Sequence, residues 1–330
     1  MPHIYSDERL RLAARLYYVD GLGQNEVARF VKVSQAKVSR LLAMARERGI
    51  VRITVADYDP RQAGLEQRLQ RELGLKSAVV IKAIDGLATS DLRRSVGHFA
   101  ALAVETLIQP RDVVAIAGGR TMHELVQHFP EPRNKALTVV QAMGSADSNV
   151  SAFDAPEIGR VMAQRLGGTF LSLNTPAFIP EKRTRDALLK LEQVRGVHDH
   201  LDRANLALVG VGTLENSVFV ERGALDQDGI AMLKRAGAVG EICGRFIDAS
   251  GRECDTPWQD RVMSISLDQL KRMPQVVGVV SGSDRTAALL AAIKGKILKS
   301  LVIDELGATA LLAAIPPAKA RSSKTSKEKR

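Results

Sequence analysis

"GLGQNEVARFVKVSQAKVSRLLAMARERGIVRI", residues 21–53, sets two short amphipathic segments around a tight turn. The first, QNEVARFV, places Val27, Phe30 and Val31 inward; KVS then turns the chain so that Ser34 can cap the next helix. There Val38, Leu41, Leu42 and Ala45 fall at i, i+3, i+4 and i+7, which makes them the buried stripe. Ala36, Lys37, Ser39 and Arg40 point away from it, with Gln35 at the helix start. Two bases among small residues suit a duplex: Lys and Arg pair with guanine or phosphate, a hydroxyl with either, and an alanine methyl with thymine. Upstream, from a possible cap at Ser6, DERLRLAARLYYVDG aligns Leu10, Ala13, Ala14, Tyr17 and Tyr18 and stops at Gly21. Downstream, GIVRITV (49–55) reads as a glycine stop and a short alternating strand. Helix, helix, tight turn, helix, small strand is the order of a winged helix-turn-helix, with Gln35, Ala36, Lys37, Ser39 and Arg40 as candidate DNA contacts.

The charge supports this reading by where it lies. Of the net +10, residues 1–55 carry ten Lys/Arg against five Asp/Glu, and residues 316–330 carry six against one. The body between them is neutral, so a polyanion partner is implied for the N-terminal module alone. The tail PPAKARSSKTSKEKR reads as a solvated disordered end. With 330 residues, 45% of them hydrophobic, the chain can build two domains and a large core. The charged N-terminus and the lack of a long apolar run point to a cytoplasmic protein with no membrane partner. Cys243 and Cys254 lack a CxxC spacing and are expected as reduced thiols.

Residues 57–75 break at Pro60 and resume as a charged helix with Leu65, Leu69 and Leu73 in line, a stripe suited to a linker. Beyond it, seven β-branched runs alternate with helical stretches: AVVIKA (78–83), DVVAIAG (112–118), LTVVQAMG (137–144), TFLSL (169–173), LALVGVG (206–212), QVVGVVSG (275–282) and SLVIDE (300–305). Near-continuous apolar strands alternating with helices imply a mostly parallel sheet covered on both faces. The expected organisation is 1–56 DNA-binding, 57–75 linker helix, 76–315 α/β ligand-binding domain and 316–330 basic tail, with the boundary at about Asp59.

In such a sheet ligands bind beyond the carboxyl ends of the strands. Three of these ends are glycine-rich. AIAGGRTMHEL offers Gly118, Gly119, Arg120 and Thr121 at a helix start, where free N–H groups, a hydroxyl and a cation can hold an anion. VSGSDRT repeats the logic with Arg285, and VGVGTLENS adds Gly210, Gly212 and Thr213. Gln141 and Gly144, at another strand end, complete the candidates with Glu241, a carboxylate that is costly to bury unpartnered and can meet sugar hydroxyls. No Walker A motif or completed GxGxxG appears, which disfavours nucleoside triphosphates and NAD. His198 and His200 lack a third metal ligand and are expected at the surface. No metal or cofactor is implied, and no nucleophile elbow or activated cysteine is visible.

These segments together resemble SorC-type bacterial transcriptional regulators. The N-terminal stretch quoted above resembles their DNA-binding region, and GAVGEICGRFID followed by VMSISLDQLKRMPQVVGVVSGSDRTAALLAAIKGKILKSLVIDE resembles their effector domain. The resemblance implies a sugar-phosphate-binding domain related in fold to glucosamine-6-phosphate deaminase and ribose-5-phosphate isomerase, without their catalysis. It implies phosphate contacts from Gly119, Arg120, Thr121 and Arg285, sugar hydroxyls at Glu241, and homodimers or homotetramers on two-fold operator DNA. Two departures stand out. Arg285 replaces a lysine common in the family, and Met143 stands where some relatives carry an arginine for a second phosphate, which disfavours a bisphosphate effector and favours a monophosphorylated or otherwise smaller sugar. The competing expectation is a sugar-phosphate isomerase or deaminase with an accessory DNA-binding module, with Glu241 or Asp248 as its base.

Overall fold

In the computed structural model, residues 5–56, 58–84, 86–130, 134–149 and 151–315 are described, so the basic tail lies outside the described residues. The chain divides at Asp59/Pro60 into two units. In the first, α1 (Asp7–Ala14) runs on through a π-helical turn (Arg15–Val19), followed by α2 (Gln24–Phe30) and α3 (Gln35–Glu47). Each helix starts on a cap. The Ser6 and Ser34 hydroxyls accept the Arg9 and Lys37 N–H groups, and the Glu26 carboxylate accepts Gly23 N–H at 3.0 Å. Leu10, Ala13, Val27, Val31, Val38, Leu41, Leu42 and Ala45 form the core. Arg9 donates to the Val31 carbonyl, and Arg48 pairs with Asp7 at 2.7 Å.

Two expectations fail here. The short strand at 49–55 does not form: residues 52–56 have no pairing, and Ile53 and Val55 are exposed. A strand needs a second strand to take its backbone hydrogen bonds, and no described residue of this unit is in one. The unit is therefore a helix-turn-helix without a paired wing. Phe30, expected inward, is 68% exposed, because Val27, Ala28 and Val31 already fill that side of α2.

The second unit opens with α4 (Ala63–Leu73), β1 (Ser77–Ile81), α5 (Thr89–Glu105), β2 (Val113–Ile116), α6 (Arg120–Gln127), β3 (Thr138–Gln141), α7 (Ala155–Leu166) and β4 (Thr169–Leu171). It continues with α8 (Lys182–Leu188), α9 (Glu192–Asp202), β5 (Leu206–Val209), α10 (Val218–Glu221), α11 (Gln227–Arg235), β6 (Ala238–Ile242) and β7 (Arg245–Asp248). The last elements are α12 (Leu267–Arg272), β8 (Gln275–Val279), α13 (Thr286–Lys294), β9 (Ser300–Asp304) and α14 (Glu305–Ala313). All seven expected strands pair in one parallel sheet, ordered β1-β9-β8-β5-β2-β3-β4. Alternate residues enter opposite cores. Ile81, Val114, Ile116 and Val279 pack with α5, α6 and α7, while Val80, Ala115, Val209 and Ile303 pack with α4, α9, α13 and α14.

The helix expected as a linker belongs to this unit. Leu69 is fully buried, and Glu66 accepts the Val80 N–H at 2.9 Å while gripping Arg61 through both oxygens. The hairpin β6–β7 was not foreseen. It turns through Cys243 and Gly244 at φ +51° and +77°, the signs of a type I′ turn, and cysteine is not a residue that advertises one.

Close packing positions α6. An added Cβ at Gly97 of α5 would sit 2.5 Å from the backbone carbon of Glu124. Gly97→Ala should therefore destabilise this unit by about 1–3 kcal/mol through overpacking. Calorimetric melting of the variant at or above the wild-type temperature would contradict so close an approach.

Candidate functional site

The N-terminal unit presents one face. Capped at Ser34 and anchored by its buried stripe, α3 leaves Gln35, Ala36, Lys37, Ser39 and Arg40 all exposed at its first two turns. Lys37 and Arg40 put two cations on that face.

In the larger unit the strand order reverses at one place. The chain runs from β2 outward through β3 to β4, and from β5 outward the other way through β8 to β9. The loops after β2 and β5 therefore part, and the crevice between them is where ligands bind in such sheets. A cavity of about 240 Å³ lies there.

Its β2 side is a helix start. Gly119 holds φ +144° and ψ 149°, a region open in practice only to glycine, and its N–H is taken by the Phe153 carbonyl at 2.8 Å. An added Cβ at Gly118 would lie 2.9 Å from that same carbonyl oxygen. α6 then begins at Arg120 with no side-chain cap, so its first N–H groups and helix dipole face the cavity. Thr121 Oγ1 and Ser281 Oγ, 3.3 Å apart, tie this turn to the end of β8.

On the other side the β6–β7 hairpin bonds to the β5 end, with Gly212 and Glu241 exchanging backbone hydrogen bonds of 2.9 and 3.0 Å. This carries the Glu241 side chain to the cavity wall. Its Oε1 accepts the Gly244 N–H at 3.2 Å, while buried Oε2 has no partner. Burial raises its pKa to about 7, against the nearby Ser217 hydroxyl and the Gly244 N–H, which lower it. Beside it Cys243 is also buried, its thiol pushed up to about 12 by burial and then by Glu241, so it is no nucleophile.

Nine of the eleven effector candidates line this one cavity: Gly118, Gly119, Arg120, Thr121, Gly144, Gly210, Gly212, Glu241 and Arg285. Gln141 and Thr213 do not. The buried Gln141 amide is spent on the Met143 carbonyl, the Ser172 hydroxyl and the Leu173 N–H, so it braces the Met143 loop. Thr213 Oγ1 accepts the Asn216 N–H. Met143 itself is on the wall, which is apolar there. Arg93, Arg222, Asp154 and Glu221 also line the cavity and went unnoticed in the sequence. They sit on helices or helix ends, outside the glycine-rich strand ends that mark the other candidates.

Asp248, the second base of the enzyme reading, does not line the cavity. Hydrogen bonds from Ser250, above all its hydroxyl, and from Arg252 hold its carboxyl well below the usual range. His198 and His200, expected at the surface, are half-buried on α9, and burial lowers the His198 pKa. Among the described residues no group of three or more His, Cys, Asp or Glu could hold a metal ion, and no helix is long and apolar enough to cross a membrane.

The Glu241 carboxyl makes stability depend on pH. Its pKa rises from 4.5 to about 7 on folding, so the folded state keeps a proton that the unfolded chain releases between those values. The stability this gives is complete below pH 4.5 and is lost as pH rises through 7, by up to ~3 kcal/mol for an isolated group. Glu241→Gln should melt with the wild type at pH 5 and above it at pH 8. Parallel melting curves for the two proteins across this range would refute the assignment.

Comparison with known proteins agrees with this architecture. The family model described as "Putative sugar-binding domain" matches residues 61–313. The chain is 30% identical over 305 residues to the deoxyribonucleoside regulator of Bacillus subtilis, covering 91% of this chain and 96% of that protein. It is 28% identical over 307 residues to the sorbitol operon regulator of Klebsiella pneumoniae, covering 91% and 96%. The crystal structure of that full-length regulator, SorC, superposes with a TM-score of 0.75 over 93% of this chain and 99% of the other, at 27% identity. These relatives are regulators rather than enzymes, which sets the isomerase or deaminase reading aside. With the family matched over most of its length, the chain belongs to the sugar-binding-domain family of SorC-type transcriptional regulators, proteins that bind DNA and respond to a sugar-type effector.

Proposed function

We propose that the first unit binds operator DNA through Gln35, Ala36, Lys37, Ser39 and Arg40, and that the cavity of the larger unit takes a monophosphorylated sugar. One observation carries the second half. A single cavity has cations and an uncapped helix start on one side, and on the other a buried carboxyl with an unpartnered oxygen. The phosphate meets the first Thr121-bearing turn of α6, Arg120 and Arg285. The sugar hydroxyls meet Glu241, which accepts as a carboxylate and can donate when protonated. The apolar Met143 wall leaves no cation for a second phosphate at that position. The protein works in the cytoplasm as a homodimer or homotetramer, so its operator has two half-sites about 10 base pairs or a multiple apart. Effector binding changes operator affinity because it favours one arrangement of the oligomer.

The DNA half is tested on fragments from upstream of the protein's own and neighbouring genes. Lys37→Ala with Arg40→Ala touches only exposed side chains. It should weaken binding by roughly tenfold or more per lost base contact, or lower the salt slope by about one per lost phosphate contact. Wild-type affinity and slope in the double variant would move the interface elsewhere. The effector half is tested by adding sugar monophosphates and bisphosphates to the protein–DNA complex. One monophosphate should shift the operator affinity of the wild type, and Arg120→Ala should abolish the shift. A response only to bisphosphates, or an undiminished response in the variant, would count against this assignment.

A further inference from the structure

Four arginines line the cavity: Arg93, Arg120, Arg222 and Arg285. Three of them face carboxylates. Arg120 lies 3.2 Å from Glu221, Arg222 lies 2.8 Å from Asp154, and Arg285 lies 2.7 Å from Asp284. Arg93 has no ion pair or hydrogen bond among the described residues.

The fold brings Arg93 to the anion side of the cavity. It is on α5, and both α5 and α6 run back from the carboxyl edge of the sheet over the same face. The two helices meet where Gly97 rests on Glu124. Arg93 is one turn before Gly97, and Arg120 is one turn before Glu124, so the turns that carry them lie side by side at the cavity. The arginines sense one another: partial burial lowers the Arg93 pKa from its ordinary 12.5, and the charges of Arg120 and Arg285 lower it further. Converging guanidiniums repel unless an anion sits among them. Glu221 and Asp284 pair directly with Arg120 and Arg285 and act on Arg93 only through space, more weakly than the two arginines do, so Arg93 alone of the four has no carboxylate in contact among the described residues.

We propose that Arg93 is a specificity-determining residue of the effector site, where it binds the second negative charge of a phosphomonoester and so selects phosphorylated over carboxylated ligands. The inference rests on the reading of the cavity as the effector site. One oxyanion can be held by the first turn of α6 with Thr121 and Arg120, and a carboxylate carries only that one charge. A phosphomonoester near neutral pH carries close to two, with three oxygens to share, and Arg93 supplies the additional fork of donors.

The test uses the full-length protein, titrated at pH 7.5 and constant ionic strength with inorganic phosphate and, separately, with acetate. Calorimetry gives the affinities, and the melting curve of each unliganded variant reports whether it folds. The wild type should prefer phosphate to acetate. Arg93→Gln should lose phosphate affinity at least tenfold and most of that preference, and Arg93→Lys should regain part of the affinity. Arg93→Gln binding phosphate as tightly as the wild type, while Arg120→Gln loses it, would overturn the role of Arg93 and leave the cavity reading standing. Phosphate binding equally weak in the wild type and in the Arg93→Gln/Arg120→Gln double variant would remove both.

Discussion

The reversal of strand order between β2 and β5 is the constraint on which the rest of the larger unit depends. Because the chain leaves these neighbouring strands in opposite directions, their following loops cannot cover the space between them. Everything at the cavity follows from that gap. The Gly118–Gly119 turn brings the start of α6 to one wall, the Gly210–Gly212 turn receives the β6–β7 hairpin, and the adjacent β8 end brings Ser281 to Thr121 and Arg285 to the same cavity.

The chemistry of the cavity is set by how unevenly its polar groups are satisfied. Gln141 is buried as deeply as Glu241, yet every partner it needs is supplied by its own surroundings, so it is structural. Glu241 is left with one oxygen unpartnered and a proton affinity raised by burial. The same contrast divides the arginines into those in ion pairs with carboxylates and Arg93, which has none among the described residues. A folded domain tolerates unmatched polar groups only in small number, and these two, Glu241 and Arg93, line one cavity.

Much of this was legible in the sequence, for identifiable reasons. The seven parallel strands are buried on both faces and so read as unbroken apolar runs, and their glycine-rich ends mark the three loops that meet at the cavity. The α3 stripe left its exposed face to be read by subtraction. The errors have equally local causes. The 49–55 segment alternates like a strand but has no partner, and Phe30 was placed inward by periodicity although its neighbours suffice for the core. The Cys243–Gly244 turn hides a hairpin because its first residue adopts a positive φ that cysteine does not signal.

What the sequence by itself determined is what periodicity and residue type encode locally: the helix-turn-helix with its caps, the alternation that demands a parallel sheet, the basic ends, and the glycines at the strand ends. What only the tertiary structure decided is which of these come together. The pairing of β2 with β5 across a long chain separation places the glycine loops side by side. The packing of Gly97 on Glu124 carries Arg93 beside Arg120. The folding of α4 onto β1 makes an apparent linker part of the domain. Such contacts depend on strand order and on close approach between distant segments, and neither leaves a periodic trace in a single sequence.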